Sequence, residues 1–311
     1  MIRLEGLRKS FGNLVVLDSI DLWVPKGTVF ALLGPNGAGK TTAVQILSTL
    51  LSPDGGRASV AGHDVVKEPE AVRSAIGLTG QFSAVDGMLN GEQNLLLMSD
   101  LHRRDRKEGR RRAAELLRDF DLSEAANKLP ATYSGGMRRR LDLAMTLMGD
   151  PRVLFLDEPT TGLDPRSRHA MWGIIRRLVG EGVTVFLTTQ YLEEADELAD
   201  RIAVLDHGRI VAAGTPDELK RRIPGGHAEL RFADSLGLEA AARILVEGKS
   251  EEDGLSLRIP CDGGVAALKA LLGRLDGSAV DVAELSIHRP DLDDVFFALT
   301  DRAGVAQGGN R

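Results

Sequence analysis

The stretch GPNGAGKTT (34–42) constrains this chain more than any other. It fits the spacing G-x-x-x-x-G-K-[ST], the apolar run TVFALLG (28–34) leads into it, and AVQILSTLL (43–51) follows with helical spacing. A short, continuous apolar run ahead of a glycine-rich loop reads as a buried parallel strand. A chain that passes from strand through tight loop to helix can converge its backbone N–H groups on phosphate oxygens, and the helix dipole adds to that attraction. Glycine at 34, 37 and 39 lets the backbone curl and approach without Cβ clashes. Lys40 is expected to reach the β- and γ-phosphates and the Thr41 hydroxyl to ligate Mg²⁺, with Pro35, Asn36, Ala38 and Thr42 completing the loop.

Two more apolar runs, RVLFLD (152–157) and VTVFLTT (183–189), are each joined to helical stretches. Strands alternating with helices predict a parallel sheet covered by helices, an α/β class with the phosphate loop of a P-loop NTPase. The first of these strands delivers Asp157 at its C-terminal end, opposite the phosphate loop, where it can hold Mg²⁺ directly or through water. Glu158 follows at once and reads either as a turn carboxylate or as a base that polarises an attacking water. The second strand ends in Gln190, a polar residue placed where a buried strand stops.

The rest of the chain is organised around this core. Short alternations in IRLEGL and LVVLDSIDLWV, separated by SFGN, predict an antiparallel β region over 1–24. Residues 90–150 read as an almost wholly helical insertion, and RRDRKEGRRR (103–112) inside it reads as a solvated helix face. A glycine- and proline-containing stretch, GTPDELKRRIPGG (214–226), marks a boundary. The expected domains are therefore 1–220, a small α/β module over 226–302, and a polar tail over 303–311. Strand and helix are expected to alternate in that module, its first helix at LEAAARILV (238–246), and DLDDVFFALT places Leu292, Val295, Phe296 and Leu299 on one apolar face.

A net charge of −6 gives no sign of nucleic acid as a partner, and the single cysteine, Cys261, excludes an intramolecular disulfide framework. No charged-then-apolar leader opens the chain and no apolar run approaches a bilayer span, so the expected location is the cytoplasm or a membrane face, held there by partners.

YSGGMRRRLDLA (133–144) opens a second amphipathic helix, with Leu141, Ala144, Met145 and Met148 on one face. Its N-terminus offers a second set of exposed amides, and one nucleotide cannot easily use both within one chain. The combination resembles the nucleotide-binding subunits of ABC transporters, over residues 1 to about 220. That resemblance implies ATP and Mg²⁺ as ligands and a head-to-tail homodimer in which Ser134, Gly135 and Gly136 act on the partner chain's ATP. It also implies that Phe11 stacks on adenine, that Gln81 touches Mg²⁺ and water and relays nucleotide state to a membrane partner, and that Asp164 in GLDP contacts the opposite subunit. Gln190 falls where the family usually carries a histidine reading the γ-phosphate, and Met137 replaces the usual signature glutamine.

YSGGM, TTQYLEEAD and RPDLDDVFFALT (289–300) together resemble the daunorubicin-resistance (DrrA-like) subfamily, extending the match to nearly the whole chain. This implies an ATPase at the cytoplasmic face of the membrane, driving export of a hydrophobic antibiotic through a separate membrane permease. It also leaves the C-terminal module as a dimerisation or regulatory unit. A lipid, polysaccharide or ion cargo stays open, as does a non-transport ABC ATPase. A P-loop GTPase or small-molecule kinase lacks an Asn-Lys-x-Asp guanine-reading motif here and would leave SGG unexplained.

Overall fold

The computed structural model describes residues 1–80, 84–221, 226–251, 254–261, 264–276, 280–288 and 291–296. They divide into two units, Met1–Pro216 and Asp217–Arg311.

The first unit begins with a hairpin of β1 (Ile2–Phe11) and β2 (Leu14–Val24), turned at Gly12 and Asn13. A buried strand, β3 (Val29–Leu33), runs into the phosphate loop and α1 (Lys40–Leu47). That helix starts and stops earlier than the spacing of 43–51 predicts. Gly39 is already its N-cap, and the chain leaves the helix at Ser48 before Thr49 turns left-handed at φ 65°.

Next come β4 (Gly55–Val60), β5 (His63–Asp64), α2 (Pro69–Ala75) and β6 (Ile76–Thr79). None of these strands was legible as one. Strand β4 opens on two glycines, and Gly56 lies so close to Gly6 that a Cβ there would stand 2.2 Å from its carbonyl oxygen. Four residues are too few for β6 to show a period.

The insertion holds α3 (Gly91–Leu101), α4 (Arg106–Asp119) and α5 (Gly135–Thr146). On α5 the expected apolar face, with Met148 just beyond, is buried. The arginine run is exposed along most of its length, as its charge implies; among its arginines the exceptions are half-buried Arg104, which pairs with Asp150 and donates to the Met148 carbonyl at 2.7 Å, and Arg112, 3.5 Å from Asp150.

Strand β7 (Val153–Asp157), α6 (Pro165–Gly180), β8 (Thr184–Thr189), α7 (Leu192–Leu198) and the hairpin of β9 (Arg201–Asp206) and β10 (Arg209–Gly214) complete the unit. Two sheets result. One is antiparallel, in the order β2-β1-β4-β5; the other runs β10-β9-β3-β8-β7-β6 and is parallel except for β10. At the centre of the latter, Phe30, Phe186 and Phe155 occupy one register row on three adjacent strands. The Phe30–Phe186 and Phe155–Phe186 ring centroids are 5.5 and 5.6 Å apart. Every residue of β3, β7 and β8 is buried, so this part of the sheet is covered on both faces.

A short helix, α8 (Pro216–Lys220), spans the division between the units. The second unit holds β11 (His227–Phe232), α9 (Ser235–Ile244), β12 (Lys249–Ser250), β13 (Ser256–Pro260), α10 (Val265–Leu275) and β14 (Val282–His288). Its sheet is antiparallel, in the order β12-β13-β11-β14. Ala228, Leu230, Phe232, Leu257 and Ile259 form a separate core with Leu238, Ala241 and Leu271 of the helices. α9 starts three residues before the expected Leu238 because the Asp234 side chain accepts the Gly237 N–H at 2.8 Å and caps it. Leu292 and Val295 are buried, while Leu299 and the tail over 303–311 lie outside the described residues.

Candidate active site

The carboxyl ends of β3, β8 and β7 lie next to one another in the parallel sheet, so the residues that follow them are brought to one edge. This is where open α/β sheets bind ligands. A cleft of about 620 Å³ opens there, lined by Val16, Asn36, Gly37, Gly39, Lys40, Thr41, Thr42, Asp157, Glu158, Thr161 and Gln190. Residues more than a hundred positions apart in the chain thus share one surface.

Two glycines of the loop have no substitute. A Cβ at Gly34 would stand 2.2 Å from the Leu205 carbonyl oxygen. Gly39, at φ 109°, would place one 2.7 Å from Leu17 Cδ2 and 2.8 Å from the Val16 carbonyl oxygen. Lys40 is buried, and its Nζ donates to the carbonyls of Gly34 at 2.7 Å and Pro35 at 3.0 Å. It lies 3.8 Å from Glu158 Oε1. Burial draws the Lys40 pKa down, while Glu158 and Asp157 act in the opposite direction. Ala38 is buried beneath the loop.

Glu158 is held in an uncommon backbone conformation, φ 50°, which costs energy for any residue with a Cβ and persists where neighbours over-determine it. Its N–H donates to both the carbonyl and the hydroxyl of Thr188, at 3.1 Å each, and its Oε2 accepts the Thr161 hydroxyl at 3.2 Å. The Thr188 hydroxyl in turn donates to Asp157 Oδ1. Thr188, Thr161 and Val16 were missed in the sequence. Only the register of β7 against β8, which sets Asp157 opposite Thr188, singles out the first of them.

The other expected residues lie elsewhere. Phe11 does not line the cleft; it is half-exposed at the hairpin end, with Lys9 Nζ 5.5 Å from its ring centroid. Ser134 caps α5 by accepting the Met137 N–H at 3.2 Å. Gly136 packs so tightly on α6 that a Cβ there would be 2.6 Å from Ser167 Oγ, while Gly135 lies near Leu163. Asp164 caps α6, taking the Ser167 N–H at 2.9 Å and its hydroxyl at 2.6 Å, and these bonds hold its carboxyl below the usual range. Ser134, Gly135, Gly136 and Asp164 are thus absent from the cleft that Lys40 lines. Gln81 lies outside the described residues.

The donors fit Mg²⁺. Among the described residues no group of three His, Cys, Asp or Glu side chains could hold a metal by itself. Thr41 and Asp157 instead share the cleft as one hydroxyl and one carboxylate, the sparse oxygen set expected when phosphates and waters supply the remaining ligands.

Beside the site, buried Glu194 accepts from Thr160 Oγ1 at 2.8 Å and Trp172 Nε1 at 3.3 Å. Burial raises its pKa, and hydrogen bonds from Thr189, Thr160 and Trp172 oppose the rise. The folded state therefore holds this proton more tightly than the unfolded chain does. The associated stability is full below the ordinary carboxylate value and is lost as pH rises through the raised one. Glu194→Gln removes that dependence. Its melting temperature relative to the parent is expected to rise across the pH window that opens above the ordinary carboxylate value, by about 2–4 °C for each ~1 kcal/mol relieved. A pH-independent difference in thermal melts would mean that the carboxyl does not titrate in that window.

Residues 17–161 match the ABC transporter family. The chain is 50% identical over 301 residues to the daunorubicin resistance ATP-binding protein DrrA3 of Streptomyces coeruleorubidus, covering 96% of this chain and 95% of that one. It is 48% identical to the daunorubicin/doxorubicin resistance ATP-binding protein DrrA of Streptomyces peucetius, covering 96% and 92%. A solved structure described as a dimeric post-hydrolysis ATP-binding cassette bound to ADP and Pi aligns with a TM-score of 0.62 and 25% identity, covering 69% of this chain and 98% of that one.

Proposed function

Because this chain belongs to the ABC transporter ATP-binding proteins, in the daunorubicin-resistance (DrrA-like) group, and is an ATPase of that family, we propose that it powers efflux of a hydrophobic, anthracycline-like antibiotic through a separate membrane subunit. The observation that carries the ATPase half of this reading is the convergence of Lys40, Thr41, Asp157, Glu158 and Gln190 on one cleft. Among the described residues no helix is long and apolar enough to cross a membrane, and in this reading the transport path belongs to the membrane subunit, which holds the ATPase at the cytoplasmic face.

Two copies of the chain clamp two ATP molecules head to tail. The loop amides and Lys40 hold the β- and γ-phosphates, and Phe11 stacks on adenine. Ser134, Gly135 and Gly136 of each copy, at the N-terminus of α5, close over the γ-phosphate bound by the other, with Asp164 beside them. Thr41, Gln81 and Asp157 would hold Mg²⁺, which when bound neutralises charge developing on the phosphate oxygens. Glu158 orients the attacking water and takes its proton.

Gln190 follows β8 directly, beside the strand that carries Asp157, and its carboxamide donates to phosphate oxygen. It cannot carry a proton near neutral pH, so hydrolysis in this chain proceeds without a titrating group at that position. Gln190→His is expected to stay active. Gln190→Ala is expected to lower kcat by on the order of 10²-fold, the cost of losing one preorganised donor. An alanine variant with full turnover in a phosphate-release assay would reduce Gln190 to a strand-end polar residue.

The whole reading is tested by finding whether a neighbouring reading frame encodes a membrane protein with about six spans and co-expressing this chain with it. Co-purification and stimulation of ATP turnover by an anthracycline are expected. Stimulation by another cargo class instead would keep the exporter and replace its substrate.

A further inference from the structure

We propose that Arg139 and Asp142, one turn apart on α5, are a positioning pair that ties the signature helix to the turn carrying Glu158. The proposal rests on the reading of Glu158 as the base. Every N–H of the Arg139 guanidinium is engaged. Nε donates to the Pro159 carbonyl at 2.9 Å, and Nη1 donates to the Gly80 carbonyl at 2.9 Å and to Asp142 Oδ2 at 3.3 Å. Nη2 donates to the carbonyls of Asp157 at 3.2 Å and Glu158 at 3.5 Å. Asp142, itself buried, accepts the Ala84 N–H at 2.9 Å through its other oxygen.

Three consecutive carbonyls, from Asp157 to Pro159, are therefore gripped by one rigid, planar fork. They flank the peptide planes that set Glu158 in its left-handed conformation, and so determine where its carboxylate stands. The same fork reaches Gly80, and Asp142 reaches Ala84, on either side of residues 81–83. The helix that supplies both side chains begins at Ser134, the residue proposed to act on the partner chain's nucleotide. Any shift of α5 as Ser134 engages that nucleotide is passed through Arg139 to the Glu158 turn. Hydrolysis in one site thereby follows engagement of the other.

Lysine keeps the charge but has three donors on one nitrogen and cannot span these acceptors. Purified Arg139→Lys is expected to bind a fluorescent ATP analogue within about threefold of the parent while kcat falls at least about tenfold. A displacement near 1 Å at a reacting group costs about 10²-fold. Asp142→Asn, which keeps an oxygen for Ala84 but loses the charge facing Arg139, is expected to show a smaller loss of the same kind, in kcat and not in affinity. In a Glu158→Gln background Arg139→Lys is expected to cause no further loss, since it acts through Glu158.

Parental kcat in Arg139→Lys overturns the proposal, as do losses that multiply with those of Glu158→Gln. A loss of nucleotide affinity in step with kcat also overturns it, because that is what mere unfolding of the site produces. If Glu158→Gln itself hydrolyses ATP at the parental rate, the base assignment fails first. If Glu158→Gln is inactive while Arg139→Lys is not, only the positioning role fails.

Discussion

Lys40→Ala is expected to lower ATP turnover by about 10²–10³-fold or more, and to weaken nucleotide binding as well. Among the described residues lining the cleft Lys40 is the single cation, and it is already desolvated, so its interaction with a phosphate is little screened by water. Its ammonium also accounts for the shape of the loop, bridging the Gly34 and Pro35 carbonyls from within the curl. Removing it leaves those two acceptors without that donor and leaves Glu158 without its neighbouring cation. Loop and charge are lost together, which is why affinity and kcat should both fall. Lys40→Met, which fills the same volume without charge, separates the two contributions. Equal defects in methionine and alanine variants, measured as turnover and as binding of a fluorescent ATP analogue, would assign the effect to charge. Turnover near the parental rate in either would remove Lys40 from the phosphate site.

Glu158→Gln has the other large expected effect and a different signature. The amide keeps the shape and can still accept the Thr161 hydroxyl, so the local fold and ATP affinity should hold. What disappears is the capacity to take a proton from water, worth about 10²–10⁴-fold in kcat. Binding without turnover should trap the ATP-bound pair of chains, visible as an ATP-dependent shift from monomer to dimer in light scattering. Turnover at the parental rate would show that another group activates the water. Because Glu158 is held left-handed by Thr188, the Thr161 contact and the Arg139 fork, loosening those supports is a second route to the same loss of kcat.

The phosphate loop was legible because its residues are adjacent in sequence and its glycines answer to local backbone needs, which a nine-residue string can display. The carboxylates of Asp157 and Glu158 were legible because a buried strand ends at them. Thr188 and Thr161 were not, since each matters only through a partner about thirty or three positions away in the folded chain. Arg139 was hidden more thoroughly. It stands in a run of three arginines whose charge suggests solvent, yet Arg139 is turned inward while Arg140 reaches the Phe120 carbonyl. No periodicity separates such neighbours.

The same division runs through the fold. Long apolar runs and a helical insertion without strand pattern identify the parallel core and its α-helical side, because burial on both faces demands continuous hydrophobicity. The short strands β4, β5 and β6 carry no such demand; their pairing partners, not their own residues, make them strands. The sequence alone determined the chemistry available to this protein: a phosphate loop, a strand-end carboxylate pair, a second helix N-terminus that one nucleotide cannot use, and an amide where the family carries histidine. Tertiary structure alone decided the geometry. Strand order brings β3, β8 and β7 side by side, so that Lys40, Gln190 and Glu158 face one cleft, and it turns one arginine of three inward to grip the catalytic turn. Order and register are set by long-range packing, which no local stretch of chain encodes by itself.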